Sequence, residues 1–581
     1  MASDTTLERA LKDAREGKLD AALASMRLLV QRKPKDYDAA QVIGLLLMQA
    51  GHLPQALHHL GRAVAGAPRV AGYRNNYANA LMYESPGGAV EQYRKALEID
   101  PNYARAYLGL TIACGECGDS AAAIEAGYAG LRLQPGWVEL TRNLCSQLSK
   151  CGRFEETIKL FQQVLPDAPR DAGLRQSYVY ALNYLDIPVD AVARAHRDYA
   201  MCVPQITSAA RTDTNPDRPL HIGILSGDMR THSVAYFAEP FMRHRPAGCK
   251  LTIFSTASPR SGDAMRDRLA GISDNWFEVS AMSDAAVGQL IRRQGIDVLL
   301  ELGGHSSGGR LGALNDAPAP VIVTAIGYPN TTGHPAVGWR IVDSITDPVG
   351  AEAFCTERLA RIDPCFLCYA PIEGAPEPAL PAEDGAITFG SFNVITKVGM
   401  RTLQLWAATL HAVENSRLLL KSLTIADPGT RQINLERMAA AGIPPERVDI
   451  VAHTKSVQDH LAAYSRVHVA LDTVPYNGTT TTCEAMWMGV PVVTLLGDRH
   501  AARVSASLLT AVGHPEWIAQ DAAQFTAIAA GLAVDRARLT ALRGGLRGEF
   551  AQSILCDQDQ YARRFHGAIR DAWREWCATV R

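Results

Sequence analysis

The chain has 581 residues, more than one hydrophobic core holds, so we expect several compact units. Apolar residues make up 47% of the chain and charged residues 20%, which excludes a largely disordered protein. Lys and Arg number 58 and Asp and Glu number 60, a net charge of −2, which argues against nucleic acid as a partner.

The sequence also argues against a membrane protein. Its longest apolar runs, such as 321–328 and 490–496, fall far short of the roughly 18 residues that cross a bilayer. The first eight residues are acidic and contain no apolar signal core. We therefore expect a soluble, cytoplasmic protein without a membrane partner.

The first third of the chain repeats with a period of about 34 residues. Three series recur in phase: Pro34, Pro68, Pro101, Pro135 and Pro169; Ala22, Ala56, Ala89, Ala123 and Thr157; Gly17, Gly51, Gly118 and Gly152. A period of this length is typical of tetratricopeptide repeats, in which each unit is a pair of antiparallel helices. The glycine ends the first helix and the proline stops the second. We predict an α-solenoid with a helical cap over residues 1–204.

The concave face of such a solenoid is suited to an extended peptide or protein segment. Four asparagines either bond a peptide backbone there or are solvated surface residues: Asn75, Asn76, Asn79 and Asn143. Removing residues up to about Asn183 is expected to spare ligand binding by the rest of the chain and to weaken the binding of such a peptide or protein.

Short apolar strands alternate with helices after a polar linker predicted at 205–218. The predicted strands are 220–225, 251–255, 296–300 and 321–326 and, after a Pro-, Ala- and Glu-rich segment at 374–384, 387–392, 417–421, 448–451, 467–471 and 492–496. Near-continuous apolar strands of this kind indicate parallel sheets covered on both faces. We predict two doubly wound domains, 219–375 and 376–581, with ligands at the carboxyl ends of the strands.

The sequence does not support four common kinds of cofactor or metal site. No G-x-G-x-x-G opens either domain and no P-loop motif occurs, which argues against dinucleotide oxidoreductases and P-loop ATPases. The pairs Cys114/Cys117 and Cys365/Cys368 lie far apart in the chain, so we predict reduced structural thiols instead of a zinc site. An Asp557-Gln-Asp559 triplet falls in a predicted helix, where a solvated face explains it better than a metal site.

Polar segments follow the predicted strands. They contain His232, His305, Lys397 and the run from Asn477 to Glu484. In that run an Asn-Gly turn and four threonines precede a helix, a combination that suits a phosphate at the helix N-terminus. Thr481-x-x-Glu484 is equally a capping box, in which both side chains only satisfy their own helix. Spacing alone leaves both interpretations open.

Nearly the whole chain resembles the O-linked N-acetylglucosamine transferases, in particular bacterial homologues. The strings that carry the resemblance are 222–228 with His232, 326–329 with Thr332-Gly333, Phe392-Asn393 with Lys397, His460, 471–473, Asn477-Gly478, Thr480-Thr481 and 503–507. The resemblance implies a tetratricopeptide solenoid followed by a GT-B pair of Rossmann-like lobes. It also implies inverting transfer of N-acetylglucosamine from UDP-N-acetylglucosamine to Ser or Thr hydroxyls, without a metal or other cofactor.

The resemblance further implies roles for single residues. Lys397 matches a lysine that contacts the donor diphosphate, and His232 matches an acceptor-side histidine whose part in proton transfer is open. His305 matches more loosely, and either acts in catalysis or belongs to the scaffold. The remaining matches imply donor binding, by Glu484 to the ribose, by Thr480 and Thr481 to the diphosphate, and by Pro329, His460, Asn477 and Gly478 elsewhere in the donor site.

The sequence departs from the animal enzyme at Val394, Thr396 and Thr479, and at 455–459, which stands where that enzyme contacts the base. Two alternatives therefore remain. One is a related protein fucosyl- or glucosyltransferase that uses another nucleotide sugar. The other is a degenerate transferase that serves as a repeat scaffold for binding.

Overall fold

The computed structural model describes residues 2–204, 213–258, 261–381, 385–451, 454 and 456–580. Most of the predicted linker, the end of the segment 374–384 and Lys455 therefore lie outside the described residues. Contacts divide the chain into two compact units. The first runs to Asp167 and includes Asp427–Ile433, and the second comprises Ala168–Ala426 and the chain from Asn434 onward. The predicted domain boundaries stay predictions.

The described residues up to 204 are almost entirely helical. The helices are α1 (Ala2–Arg15), α2 (Leu19–Arg32), α3 (Tyr37–Gln49), α4 (Leu53–Gly66), α5 (Ala71–Leu81), α6 (Pro86–Ile99), α7 (Ala104–Glu116), α8 (Ser120–Leu133), α9 (Val138–Lys150), α10 (Phe154–Val164), α11 (Ala172–Leu182) and α12 (Val189–Arg197). Helices α1–α10 belong to the first unit, whereas α11 and α12 belong to the second.

The three repeat series explain this solenoid. Gly17, Gly51, Gly118 and Gly152 each follow the first helix of a pair with φ between 73° and 80°, the left-handed conformation that ends a helix. The small residues of the second series have 0% exposure where the paired helices approach. Each proline of the first series lies a few residues beyond the end of the second helix, where it prevents continuation. The predicted tetratricopeptide solenoid is confirmed.

A parallel sheet of seven strands forms the first lobe of the second unit. Its strands are β1 (His221–Ser226), β2 (Lys250–Ser255), β3 (Asn275–Glu278), β4 (Val298–Glu301), β5 (Val321–Thr324), β6 (Trp339–Val342) and β7 (Arg358–Arg361). Its helices are α13 (Ser233–Arg243), α14 (Ala264–Ile272) and α15 (Asp284–Arg293). The spatial order is β3-β2-β1-β4-β5-β6-β7, the doubly wound arrangement.

The second lobe repeats this design with six parallel strands. They are β8 (Ile387–Ser391), β9 (Ser416–Lys421), β10 (Val448–Val451), β11 (Val469–Leu471), β12 (Val492–Leu495) and β13 (Ile518–Ala519), in the order β10-β9-β8-β11-β12-β13. The helices of this part of the chain are α16 (Met400–Ala412), α17 (Pro428–Ala440), α18 (Val457–Ala462), α19 (Thr480–Trp487), α20 (Val504–Val512), α21 (Ala522–Val534), α22 (Arg536–Gln552) and α23 (Gln558–Val580). The residues of α17 up to Ile433 belong to the first unit. The predicted pair of Rossmann-like lobes is confirmed.

All nine predicted strands are present, but four strands of the sheets were not predicted. These are β3, β6, β7 and β13, of only two to four residues. Three of them are edge strands, and β6 lies next to the edge. An edge strand pairs with a neighbour on one side only, and every residue of β3 and β7 is at least partly exposed. These two strands therefore lack the continuous apolar run that identified the inner strands.

Helix α11 joins both lobes at the carboxyl ends of their strands. Asn183, directly after α11, donates from Nδ2 to the Tyr328 hydroxyl at 2.9 Å in the loop that follows β5. The Tyr184 ring lies 5.1 Å from the Tyr476 ring in the loop that follows β11. Among the described residues, no helix is both long enough and apolar enough to cross a membrane.

Candidate active site

The second lobe reverses its strand order between β8 and β11, and polar loops separate there. The chain leaves β8 for β9 and β10 on one side, then returns to β11 and β12 on the other. In open parallel sheets this switch point is where ligands bind, because the diverging loops leave a crevice. Asn393, Asp472 and Thr481 line a small cavity at this point.

Lys397 lies in the loop after β8 and points across the crevice to the loop after β11. Its Nζ donates to the Asn477 carbonyl at 2.7 Å and lies 4.0 Å from the centre of the Tyr476 ring. Burial lowers the pKa of Lys397 to about 8, opposed by the negative charge of Asp472. The side chain is therefore a fixed ammonium that a modest rise in pH neutralises.

Asp472 organises the loop that faces Lys397. Its Oδ1 accepts the backbone N–H groups of Thr473 and Gly478, both at 2.8 Å, and its Oδ2 accepts the Thr494 hydroxyl at 2.7 Å. Asn393 adds an Nδ2 contact at 3.3 Å. These bonds draw the chain into a tight turn that leads directly into α19. Burial raises the pKa of Asp472, and the bonds from its neighbours oppose that rise.

The first turn of α19 is not closed by a capping box. The helix begins at Thr480, and the preceding Thr479 accepts no cap hydrogen bond through its side chain. The Thr481 hydroxyl instead donates to Asn393 Oδ1 at 3.1 Å. The capping-box interpretation is therefore wrong, and the N-terminal N–H groups of α19 face the crevice without a side-chain cap from Thr479, the arrangement that favours an anion.

Glu484, one turn further along α19, belongs to a polar chain. His460 Nε2 lies 2.9 Å from Glu484 Oε2, and Lys421 Nζ lies 2.7 Å from His460 Nδ1. The Tyr464 hydroxyl reaches the same Oε2 at 3.5 Å. An ammonium only donates hydrogen bonds, so Nδ1 accepts and the imidazole proton is on Nε2, where it is donated to the carboxylate. Burial lowers the pKa of Lys421, and Glu484 opposes this.

His232 lies after β1, at the N-terminus of α13. Its Nδ1 accepts the Val234 N–H at 3.3 Å, and the same atom lies 3.4 Å from Asp228 Oδ1. Burial lowers the pKa of His232 and raises that of Asp228, so the imidazole is neutral near pH 7. With Nδ1 as acceptor, its proton is on Nε2.

His305 and Pro329 lie deeper in the first lobe. His305 is 3% exposed; its Nε2 is 2.7 Å from the Thr332 carbonyl, and its Nδ1 has no partner among the described residues. Its ring packs on Tyr199, 4.6 Å away. These surroundings favour the scaffold alternative, and a catalytic role for His305 stays a prediction. Pro329 is buried in the loop that Asn183 contacts from both sides, through Tyr328 and Asn330.

The structure thus groups the sequence-predicted residues into two sets. Lys397, Asn477, Gly478 and Thr481 meet at the switch point, beside His460 and Glu484. His232, His305 and Pro329 belong to the first lobe. Thr480 is the first residue of α19.

Sequence reasoning missed three functional candidates: Lys421, Asp472 as the loop organiser, and Tyr476. Lys421 ends a predicted strand next to the switch point, and that position was the available signal. Asp472 and Tyr476 lie in the polar run that was singled out, but their contacts depend on the fold.

Within the described residues, no group of three or more His, Cys, Asp or Glu side chains is arranged to hold a metal ion. The cysteines of both Cys-x-x-Cys pairs are free thiols. Asp559 instead contacts His244, with 2.6 Å between the carboxylate and Nδ1.

Comparison with known proteins agrees with this architecture. Residues 189–369 and 377–565 match the profile of Glycosyl transferase family 41, and residues 87–114 match a tetratricopeptide repeat profile. Because the first match covers more than half of the chain, the protein belongs to Glycosyl transferase family 41.

Relatives in other organisms extend the comparison. The chain is 39% identical over 426 residues, 71% of its length, to the probable UDP-N-acetylglucosamine–peptide N-acetylglucosaminyltransferase SPINDLY of Oryza sativa subsp. japonica. It is 25% identical over 373 residues to the corresponding probable enzyme SEC of Arabidopsis thaliana. These matches span 45% and 38% of the relatives, so the chain covers less than half of their length.

A solved structure shares the fold over most of the chain. A mutant of the Thermobaculum terrenum O-GlcNAc transferase superposes with a TM-score of 0.79 and 32% identity. The match covers 88% of this chain and 98% of that one.

Proposed function

We propose that this protein transfers N-acetylglucosamine from UDP-N-acetylglucosamine to Ser or Thr hydroxyls of polypeptides. The observation that carries the proposal is the position of Lys397 opposite the uncapped N-terminus of α19 at the switch point. Family membership supports the reaction class. The relatives and the superposed structure, which are named as N-acetylglucosamine transferases, support the donor and the acceptor.

The diphosphate of the donor binds between Lys397 and α19. As the bond between the sugar C1 and the phosphate oxygen breaks, its electron pair leaves with UDP, and negative charge grows on the diphosphate. The ammonium and the helix N–H groups stabilise this charge, an effect worth roughly 3–4 kcal/mol for a preorganised partner. The same groups do the work that a divalent cation does in other transferases, so we propose that no metal is needed.

The acceptor hydroxyl attacks C1 from the face opposite the leaving UDP, which inverts the anomeric configuration. Its proton passes to a donor phosphate oxygen or to His232. The neutral imidazole of His232 presents Nε2–H, since Nδ1 accepts from Val234. That arrangement suits donation to the acceptor better than removal of its proton.

The repeat array recruits the acceptor polypeptide. In the first unit a groove is lined by Asn75, Asn76 and Asn79 together with Arg105 and Trp137. The buried Asn75 Oδ1 has no hydrogen-bond partner among the described residues, which leaves an unused acceptor in the wall of this groove. Asn143 does not line this groove, and its amide bonds the Glu139 carbonyl at 2.9 Å.

Mass spectrometry of a peptide array tests the proposal. The array is incubated with the protein and UDP-N-acetylglucosamine, or with GDP-fucose or UDP-glucose. We expect one N-acetylhexosamine mass on Ser or Thr peptides, undiminished by a chelator. Transfer from another donor alone, or dependence on a divalent metal, would contradict the proposal.

Two variants link the activity to the site. Lys397→Met is expected to reduce kcat by at least about 100-fold, as expected for loss of a principal charge partner in the transition state. Lys250→Met, which removes an exposed lysine at the start of β2, is the matched control and should leave kcat unchanged. Equal activity of the two variants would show that Lys397 has been misassigned, and absence of activity from the wild-type protein would favour the degenerate scaffold.

A further inference from the structure

Lys421 is a lysine that the proposed reaction does not use, yet it lies in the interior of the site. It is the last residue of β9, the strand beside β8 on the side of the switch point away from β11. Its side chain is half-buried, and its Nζ lies 5.9 Å from the centre of the Phe392 ring. Holding an ammonium there costs solvation, and burial accordingly lowers its pKa.

Lys421 is the first donor in a series of hydrogen bonds that leads through His460 to Glu484. Its Nζ donates to His460 Nδ1 at 2.7 Å, which leaves the proton of the neutral imidazole on Nε2. His460 Nε2–H then donates to Glu484 Oε2 at 2.9 Å. The Phe392 and Tyr464 rings flank the imidazole, with centroids 5.9 and 6.0 Å away. Each donor therefore has a fixed acceptor, and the chain ends on the carboxylate.

These hydrogen bonds determine which oxygen of Glu484 is free to bind a ligand. Oε2 is occupied by His460, whereas Oε1 forms no hydrogen bond with any described residue. The Glu484 side chain is 9% exposed, so a ligand approaches one oriented oxygen. An oriented carboxylate oxygen that only accepts selects a hydroxyl donor and rejects an analogue that lacks the hydroxyl, because the bound analogue covers the oxygen and leaves it unpaired.

We propose that Lys421 is a positioning residue that makes the site selective for a ribonucleotide over a 2′-deoxyribonucleotide. It acts through His460, which it holds as the Nε2–H tautomer, and thereby keeps Glu484 turned toward the hydroxyls of the donor's ribose. The inference rests on the proposed function, since it assumes that a uridine nucleotide binds with its ribose at Glu484.

Calorimetric titration of the full chain with UDP and with 2′-deoxy-UDP tests the inference. The wild-type protein should prefer UDP by at least about 10-fold, the size of a hydrogen bond to a charged group. In Lys421→Met the preference should fall to less than about 3-fold, and Lys421→Arg, which keeps a cationic donor, should restore most of it. The matched control is Arg417→Met, since Arg417 is an exposed cation on the same strand, paired with Asp449 at 3.3 Å, and its loss should leave the preference unchanged.

A double-mutant cycle separates positioning from direct contact. If Lys421 acts through His460, then Lys421→Met and His460→Gln lower the preference by the same factor, and combining them lowers it no further. Multiplicative effects of the two changes would overturn the inference, as would a Lys421→Met protein that folds and keeps the full preference. Wild-type protein that binds neither nucleotide would instead contradict the proposed function.

The tautomer gives a second readout that remains usable if Lys421→Met binds nucleotide too weakly to titrate. In protein labelled with ¹⁵N-histidine, with the His460 signals assigned through His460→Gln, the wild type should show a protonated Nε2 and an unprotonated Nδ1. Lys421→Arg should keep this pattern and Lys421→Met should lose it. An unchanged pattern in Lys421→Met would overturn the inference.

Discussion

Lys397 holds its charge between a carbonyl and an aromatic face, in a position that water reaches only partly. Both contacts favour the ammonium, yet burial outweighs them and lowers its pKa to about 8. A lysine on an exposed surface stays charged far above that pH. The reactivity of the site is therefore tied to pH through this one residue.

We expect kcat/KM to fall as the pH rises through about 8. The lowered pKa means that the stabilising charge is fully present below about pH 8 and is lost above it. The pH dependence of kcat/KM reports groups of the free enzyme. This alkaline limb of the profile therefore appears even if bound diphosphate raises the pKa of Lys397. The measurement is a kcat/KM profile from about pH 6 to about pH 10.

Lys397→Arg is the control for this profile. A guanidinium stays charged over the whole range, so its residual activity should lack the alkaline limb. The same limb in Lys397→Arg would assign the titration to another group.

A second prediction concerns His232, the N-cap residue of α13. Asparagine is also a good N-cap, so His232→Asn keeps a cap on α13 and removes only the imidazole. Since Nε2 already carries the proton, we expect kcat to fall by less than about 10-fold. General-base catalysis contributes about 100-fold or more, so a loss of that size would make His232 the base. Steady-state kinetics with a peptide acceptor decides between the two.

The element that defines the site is the turn from β11 into α19. Asp472 gathers the backbone of this turn, and Gly478 lies where a side chain has no room. A β-carbon at Gly478 would lie 2.5 Å from Thr481 Oγ1 and 2.7 Å from Thr482 Oγ1. The four threonines can follow the turn closely only because this position is glycine.

Gly478→Ala should therefore weaken UDP binding by at least about 10-fold, because the first turn of α19 must move away from Lys397. Isothermal titration calorimetry measures the affinity. Gly544→Ala in α22 is the matched control: nothing lies within 4 Å of its added carbon, and alanine favours the helix. Unchanged affinity in Gly478→Ala would show that the turn does not hold the diphosphate.

The sequence predicts strands and helices best where a hydrophobic or repeat pattern corresponds directly to a buried position. Inner strands such as β4 and β12 are near-continuous apolar runs, and the repeat glycines end their helices as the period predicts. The edge strand β13 has two residues and no readable pattern. The sequence predicts an anion site at α19 but does not distinguish it from a capping box. The Thr481–Asn393 contact distinguishes the two, and it joins residues 88 positions apart in the chain.

Over the whole molecule, the important boundary is that between the repeat array and the compact unit that holds the lobes. Helix α11 continues the helical series in sequence but belongs to the second unit. The Tyr180 and Tyr184 hydroxyls are 2.8 Å apart, and Tyr184 packs on Tyr476, whose face contacts Lys397. Sequence periodicity gave no sign of this role, because it reports helices and not the surfaces that they cover.

The structure therefore corrects the expected effect of removing residues up to about Asn183. That deletion removes Tyr180 and the bonds from Asn183 to Tyr328 and Asn330, so we expect lower thermal stability and loss of UDP binding. A deletion that ends at Asp167 keeps these contacts. It should retain UDP affinity within about 3-fold while lowering glycosylation of whole proteins by at least about 10-fold.

Thermal shift with UDP and a glycosylation assay on a protein acceptor compare the two truncations. Equal UDP binding by both would contradict the role of α11. Undiminished glycosylation of whole proteins by the shorter deletion would contradict recruitment by the repeats.

The central claim is that Lys397 and the N-terminus of α19 together hold the donor diphosphate. A crystal structure of the protein grown with UDP and a chelator tests it most directly. We expect diphosphate oxygens within hydrogen-bond distance of both Lys397 Nζ and the first backbone N–H groups of α19. A diphosphate bound elsewhere, or binding that is lost when the chelator is present, would contradict the claim.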